Sequence, residues 1–177
     1  MNTLETICRR KSVRSYTGEQ ITDAELNSIL KAAQAAPVGN AKYDTVHLTV
    51  ITSKALLEKI DKAAAEFFGD PTGHPLYGAP TLILVSSPVN GTAKDKSPIS
   101  NCSCIVENMS LEAVELGIGT VHIWGAVAGL NTRPDLVKEL GLPEGFSPVC
   151  GIALGKTEEK YPEREIPMDR IKTDYIK

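Results

Sequence analysis

One segment limits the folds open to this chain more than any other, and it runs from Cys102 to Leu116. Apolar residues fall at 102, 105, 106, 109, 113 and 116, close to the spacing of one helical face, and Leu111 and Val114 add apolar groups off that face. A helix apolar almost all round has no side to give to water. It belongs at the centre of a domain or in a subunit interface, and the other elements must pack around it.

Those elements can be read in turn. Thr22-Asp-Ala-Glu25 is a capping box, in which hydroxyl and carboxylate satisfy free N–H groups reciprocally. It opens a helix carrying Leu26, Ile29, Leu30 and Ala33 on one face, which Pro37 and Gly39 stop. A second amphipathic helix over 53–68 aligns Leu56, Leu57, Ile60, Ala64 and Phe67, and shorter helices are expected over 4–10 and 132–140. Strands are expected over 46–51, 81–85, 120–124 and 149–154. The 81–85 run, TLILV, is continuous enough to be buried on both faces. A Gly- and Pro-dense loop over 69–80 and a polar, lysine-bearing connection over 90–97 join them.

Helices and strands mix in an α+β or α/β order without repeat or linker, so a single domain over 1–177 is expected. Its polar tail, 156–177, is either an arm that packs on a partner subunit or a disordered end. A chain of 177 residues buries roughly 70% of its unfolded surface and needs no staple.

A net charge of -3 supplies no basic field for nucleic acid or an anionic membrane, and a single Trp argues against base-stacking platforms. The N-terminus, MNTLETICRRKSVRSY, has no apolar core of a secretory signal, and no apolar run is long enough to cross a bilayer. A cytoplasmic location is therefore expected, where the sequons at Asn90, Asn101 and Asn108 have no meaning. Cys8, Cys102, Cys104 and Cys150 fit no metal spacing and are expected to be small core residues in a reducing compartment, with no metal site.

Familiar catalytic motifs fail. Gly117-Ile-Gly119 resembles a dinucleotide fingerprint, but the sixth position is His122, and the motif lies between a helix and a strand rather than the reverse. A helix cap followed by a turn explains it better. His47 and His122 sit in strand patterns and are expected to be hydrogen-bonded core histidines. No carboxylates form an acid/base pair, and no catalytic side chain is assigned.

Two clusters carry chemistry. Arg9, Arg10, Lys11 and Arg14, with Ser12 among them, place four cations in six residues of an acidic chain. A phosphate monoester is held by such a set: arginine forks, a lysine point charge and a hydroxyl. Downstream, Ala36-Pro37-Val38-Gly39-Asn40 forms a tight turn whose backbone can approach a planar ligand, with Asn40 able to donate to and accept from a heterocycle edge.

Together these segments resemble the nitroreductase family of FMN-dependent oxidoreductases. Arg10-Lys11-Ser12-Val13-Arg14-Ser15-Tyr16 is similar to the family's RRSxRxF/Y opening, and Ala36 to Asn40 to its APSSxN loop. Asn108 to Ala113 with Leu116 to Thr120, then Ile123-Trp124-Gly125 and Gly151 to Gly155, match the buried helix, its Gly-rich exit and two later strands in character and order.

The resemblance implies an α+β fold with a central, mostly antiparallel sheet flanked by helices, working as an intertwined homodimer with FMN at the subunit interface. It implies that Arg10, Lys11, Ser12 and Arg14 hold the phosphate, ribityl chain and pyrimidine edge. Pro37, Val38, Gly39 and Asn40 line the isoalloxazine, from the partner subunit. Gly125 approaches the ring, and Arg164, with Lys160 as second choice, supplies a late cation. NADH or NADPH is the implied donor, and a small electron-poor molecule such as a nitroaromatic or quinone the acceptor, in a ping-pong cycle. A flavin-degrading or reductively dehalogenating relative, or a non-catalytic flavin-binding protein, are the alternatives.

The departures are Val38-Gly39 where serines are usual, and Lys42-Tyr43-Asp44 at the border of the substrate space. The insertion that often lids the flavin is also missing, which leaves 65–77 to take that role.

Overall fold

In the computed structural model, which describes residues 2–89, 92 and 96–177, a four-stranded sheet lies between two layers of helices. In chain order the elements are α1 (Thr3–Arg9), α2 (Asp23–Gln34), β1 (His47–Ile51), α3 (Lys54–Phe67), β2 (Thr81–Ser87), α4 (Lys96–Glu115), β3 (Gly119–Ile123), α5 (Gly125–Asn131), α6 (Pro134–Glu139) and β4 (Ser147–Gly155). Of the connection expected over 90–97, residues 90, 91 and 93–95 lie outside the described residues.

The strand order is β1-β2-β4-β3, and every neighbouring pair is antiparallel. Central β2 shows why its sequence is continuously apolar. Ile83 and Val85 point into a core shared with α2 and α4, while Leu82 and Leu84 point into a second core under α3, α5 and α6. All seven of its residues are buried.

On the first face, α4 buries Cys102, Ile105, Val106, Met109, Ser110, Ala113 and Val114. It ends at Gly117 in the left-handed region (φ +71°), where the Gly117 N–H donates to Val114 O (3.0 Å) and the Ile118 N–H to Ala113 O (2.8 Å). This is the glycine cap and turn read from the sequence. The capping box of α2 is formed in both directions, with Thr22 N–H to Glu25 Oε2 at 2.8 Å and Glu25 N–H to Thr22 Oγ1 at 3.3 Å.

Several local expectations are corrected. The helix expected over 132–140 is the shorter α6, and α5 precedes it unforeseen. Glycines cost helix stability, so GAVAGLN reads poorly as helix. Here packing overrides propensity, because a Cβ on Gly129 would lie 2.7 Å from Ala64 Cα. The same close crossing of α3 and α5, through Ala63, Ala64 and Gly129, leaves no room for a ring between the helices. Phe67, expected on the buried face, is exposed.

Strand β3 is an edge strand whose Val121 and Ile123 fill the α3 side, so His122 points to the α4 side and is exposed rather than in the core. Trp124 lies beyond the strand and is exposed. Among the cysteines, Cys102 and Cys150 are core residues, with burial pushing each thiol up to about 12, but Cys104 is exposed and Cys8 half-buried.

Candidate functional site

The cation cluster follows α1 and is held along the free edge of β3. The Val13 N–H donates to Thr120 O at 2.8 Å, and the Val13 side chain is fully buried. In extended backbone this alternation turns Ser12 and Arg14 away from the core. Arg10 Nε meets Glu107 Oε1 of α4 at 3.1 Å, and Lys11 Nζ meets Glu159 Oε2 at 2.7 Å. That contact holds the Glu159 carboxyl below the usual carboxylate range. The Arg14 guanidinium stands 5.7 Å from the centre of the Tyr77 ring and has no ion pair among the described residues. The Ser12 hydroxyl likewise makes no hydrogen bond among them.

The start of the tail braces this segment. Thr157 Oγ1 donates to Ser15 O (2.8 Å), Tyr161 Oη to Ile118 O (2.7 Å), and Arg9 Nη1 to Tyr161 O (3.2 Å). Arg164 donates from Nε to Cys8 O (2.7 Å) and from Nη2 to Arg10 O. Its guanidinium thus straddles two carbonyls of the cation segment, while Lys160 is exposed. Residues 165–177 form no helix or strand, and Met168, Ile171, Tyr175 and Ile176 are exposed.

The second cluster, Pro37 to Asn40, follows the end of α2 and is anchored elsewhere on α4. Val38 is buried in the α2–α4 core, and the Gly39 N–H donates to Asn101 Oδ1 at 3.1 Å. The left-handed residues are Asn40 (φ 56°) and Ala41 (φ 53°), not the glycine. Such a conformation in an alanine costs about 1–2 kcal/mol and concentrates at functional sites. Pro37, Gly39 and Asn40 are exposed, and the Asn40 amide has no hydrogen bond among the described residues. Asn101 and Glu107, the two anchors, are six residues apart, about 9 Å along α4 and about 120° around it. A single chain therefore fixes the turn and the cations at separate places on one helix.

Gly125 starts α5 directly after Trp124. A Cβ there would meet Phe68 Cζ at 2.4 Å, so the phenyl ring of Phe68 lies over the glycine. His122, two residues before Trp124, is exposed but flanked by protein. Partial burial holds its pKa below the ordinary 6.5, Glu107 acts against that shift and Arg10 adds to it.

The larger cleft, about 710 Å³, lies on the opposite side of the sheet from α4, between α3 and the 71–80 loop, and none of the expected site residues lines it. Asp61 stiffens its wall by accepting from the Leu76 N–H (2.7 Å) and contacting His74 Nδ1 (2.9 Å). A smaller cavity of about 290 Å³ borders the turn at Val38, Tyr43 and His47. The segment expected to cover the flavin reaches the cations through Tyr77.

Sequence reasoning missed the anchors: Glu107, Glu159, Asn101, Tyr161 and Tyr77. Each lies 43 or more residues from the group it holds, and nothing local marks it.

Comparison with known proteins shows the family and the fold. A model of the nitroreductase family matches residues 7–156. A protein of Archaeoglobus fulgidus, named an NADH dehydrogenase/NAD(P)H nitroreductase, is 32% identical over 178 residues, covering 98% of this chain and 95% of its own. Nitroreductases solved with bound FMN from Desulfitobacterium hafniense (25% identity, TM-score 0.84) and Bacteroides fragilis (30% identity, TM-score 0.81) each match 99% of this chain and all of theirs. The matched region runs from within α1 past the end of β4, and on that evidence the chain belongs to the nitroreductase family.

Proposed function

We propose that this protein binds FMN and works as an NAD(P)H-dependent oxidoreductase that reduces quinones, nitroaromatics or similar electron-poor molecules. The observation that carries the reading is the cation segment itself: Arg10, Lys11, Ser12 and Arg14 presented along an edge strand, with Arg164 fastened across its backbone. The donor set fits a phosphate monoester. Arg9, Arg10, Lys11, Arg14 and Arg164 face three paired carboxylates, Glu5, Glu107 and Glu159, which leaves positive charge over for a dianion. The Ser12 hydroxyl and the Arg14 guanidinium, neither in a hydrogen bond or ion pair among the described residues, are ready donors.

When bound, FMN accepts hydride from the nicotinamide and passes two electrons on to the acceptor. The chain's own part is to hold and orient. Arg10, Lys11, Ser12 and Arg14 grip the phosphate, ribityl chain and pyrimidine edge, where their positive charge favours the reduced, anionic form. Pro37, Val38, Gly39 and Asn40 line the ring. In this reading a second copy supplies the turn in a homodimer, which is supported by the anchoring of turn and cations at separate places on α4 of one chain. The Phe68 ring covers Gly125, so it must swing aside before that glycine's backbone can approach the flavin. No side chain acts as general acid, so solvent supplies protons, and donor and acceptor use the same space in turn.

The test is the absorption spectrum of the purified protein, mass spectrometry of the released cofactor, and anaerobic mixing with NADH and with NADPH. A yellow protein releasing FMN and bleached by one or both donors is expected. The pair Arg10→Glu and Arg14→Glu should lose the flavin while keeping its circular dichroism. A folded double variant that retains FMN would refute the assignment of these cations.

A further inference from the structure

Asp61 stands in the middle of α3, where an aspartate weakens a helix, and its side chain is only 16% exposed. Both of its oxygens reach out of the helix to the 68–80 connection. One accepts the Leu76 N–H at 2.7 Å and the other meets His74 Nδ1 at 2.9 Å, 15 and 13 residues further along the chain. His74 is largely in water, so the Leu76 contact is the lasting one.

Directly after Leu76 come Tyr77 (φ 57°) and Gly78 (φ 72°), both left-handed. Glycine takes that conformation freely, but a tyrosine keeps it only where its surroundings leave no alternative. Here the chain is pinned on both sides. Leu76 and Ala79 are buried in the core beside α3, the Tyr77 N–H donates to His74 O (2.8 Å), the Ala79 N–H to Leu76 O (3.0 Å), and Gln20 Nε2 to Pro80 O (2.8 Å). Tyr77 leaves that core, and its ring stands 5.7 Å from the Arg14 guanidinium. Arg14 is the cation for which this matters. Lys11 takes the neighbouring Glu159 carboxylate, and the Arg14 guanidinium makes no hydrogen bond or ion pair among the described residues, so the attraction of the ring face is what directs it.

We infer that Asp61 is a positioning residue for the flavin site: it holds the 68–80 connection so that the Tyr77 ring keeps the Arg14 guanidinium at the flavin's pyrimidine edge, and this raises the cofactor's reduction potential. The inference rests on the FMN reading above, which puts Arg14 at that edge. Reduced flavin carries a negative charge that oxidised flavin lacks, so a guanidinium kept beside it favours the reduced form. Without the ring, Arg14 spreads over other rotamers and that preference weakens. Neither Asp61 nor Tyr77 carries a proton or an electron.

The midpoint potential of the FMN-loaded protein is measured anaerobically against a reference dye, with the fold of each variant followed by circular dichroism. Tyr77→Leu should lower the affinity for reduced relative to oxidised FMN about two- to fivefold, a fall of about 10–20 mV for a two-electron couple. Tyr77→Phe keeps the ring face and should keep the parental potential. Asp61→Ala should reproduce the fall, whereas Asp61→Asn, which retains an acceptor for the Leu76 N–H, should not. Asp61→Ala and Tyr77→Leu together should fall no further than either alone, as residues acting through one contact do. A merely structural role would move the unfolding midpoint and leave the potential where it was.

Parent protein that cannot be loaded with FMN refutes the cofactor reading and this inference with it. Parent protein that holds FMN, beside a folded Tyr77→Leu at the parental potential, overturns the inference alone. An unchanged potential in folded Asp61→Ala, next to a lowered one in Tyr77→Leu, overturns the role of Asp61. Tyr77 is an exposed ring, so its two variants decide the matter even if Asp61→Ala unfolds.

Discussion

Gly129→Ala sets two effects of known sign against each other. In an exposed helix the change gains about 1 kcal/mol, since glycine is the weaker helix former by that amount. At Gly129 the new Cβ would lie 2.7 Å from Ala64 Cα, 3.1 Å from Phe67 Cβ and 3.2 Å from Ala63 O. Each of these atoms is backbone or the first atom of a side chain, so none can rotate away. Restoring ordinary contact requires α5 to lift from α3 by roughly 0.7 Å, which loosens the dispersion contacts along the crossing.

Overpacking costs about 1–3 kcal/mol, and three contacts that cannot yield put this site in the upper part of that range, about 2–3 kcal/mol, so crowding wins and a net loss of about 1–2 kcal/mol remains. For a chain of this length that lowers Tm by about 2–8 °C. Gly125→Ala is the control. Its Cβ would meet only the outer atoms of the Phe68 ring, Cζ at 2.4 Å and the two Cε at 3.2 and 3.3 Å, the far end of a side chain that can swing aside, so stability should change little while that ring moves. Urea and thermal unfolding at one protein concentration, with and without FMN, measure both variants. Gly129→Ala as stable as its parent would refute the idea that this crossing has no slack.

Two more outcomes follow from the tail. Arg164→Gln cannot bridge Cys8 O and Arg10 O, so FMN binding, read by flavin fluorescence, should weaken about 10- to 100-fold with the circular dichroism unchanged. Full recovery in Arg164→Lys would mean that a point charge, not the two-carbonyl fork, is what matters. Glu25 is held below its ordinary 4.5, first by the hydrogen bond from Lys156 and then by the Thr22 N–H. The folded state binds that proton more weakly than the unfolded chain, so the stabilisation is complete above about pH 4.5 and is lost as pH falls further. Glu25→Gln should therefore unfold at lower urea than its parent near neutral pH, with the gap narrowing once the pH is taken below 4.5. An equal gap at both pH values contradicts the linkage.

What was legible in the sequence was whatever short-range physics enforces. The capping box, the glycine end of α4 and the two-faced β2 were all read correctly, because each is decided within a few residues or by composition alone. The cations and the proline turn were visible as compact clusters. Helix α5 was not, because its glycines are tolerated only through contact with Ala63 and Ala64, far off in the chain. His122 was misplaced for a related reason. A strand pattern does not say which strand becomes an edge, and at an edge a residue facing α4 can stay open to water. The exposure of Phe67 and Trp124 has the same origin.

The carboxylates that pair with the cations clarify what kind of site this is. Glu107 and Glu159 are 45% and 34% exposed, and ion pairs so open to water contribute only about 0–1 kcal/mol each. A phosphate brings doubled charge and several acceptor oxygens, and its charge-assisted hydrogen bonds to arginine are stronger than such pairs. On the proposed reading, Glu107 and Glu159 keep Arg10 and Lys11 in place without a ligand and yield to a phosphate at small cost. The durable holding is done by hydrogen bonds to backbone carbonyls: Val13 on Thr120, Thr157 on Ser15, and the Arg164 guanidinium on the carbonyls of Cys8 and Arg10. The segment is thus fixed by its backbone and left replaceable at its side chains, as a site that must capture a charged cofactor without refolding requires.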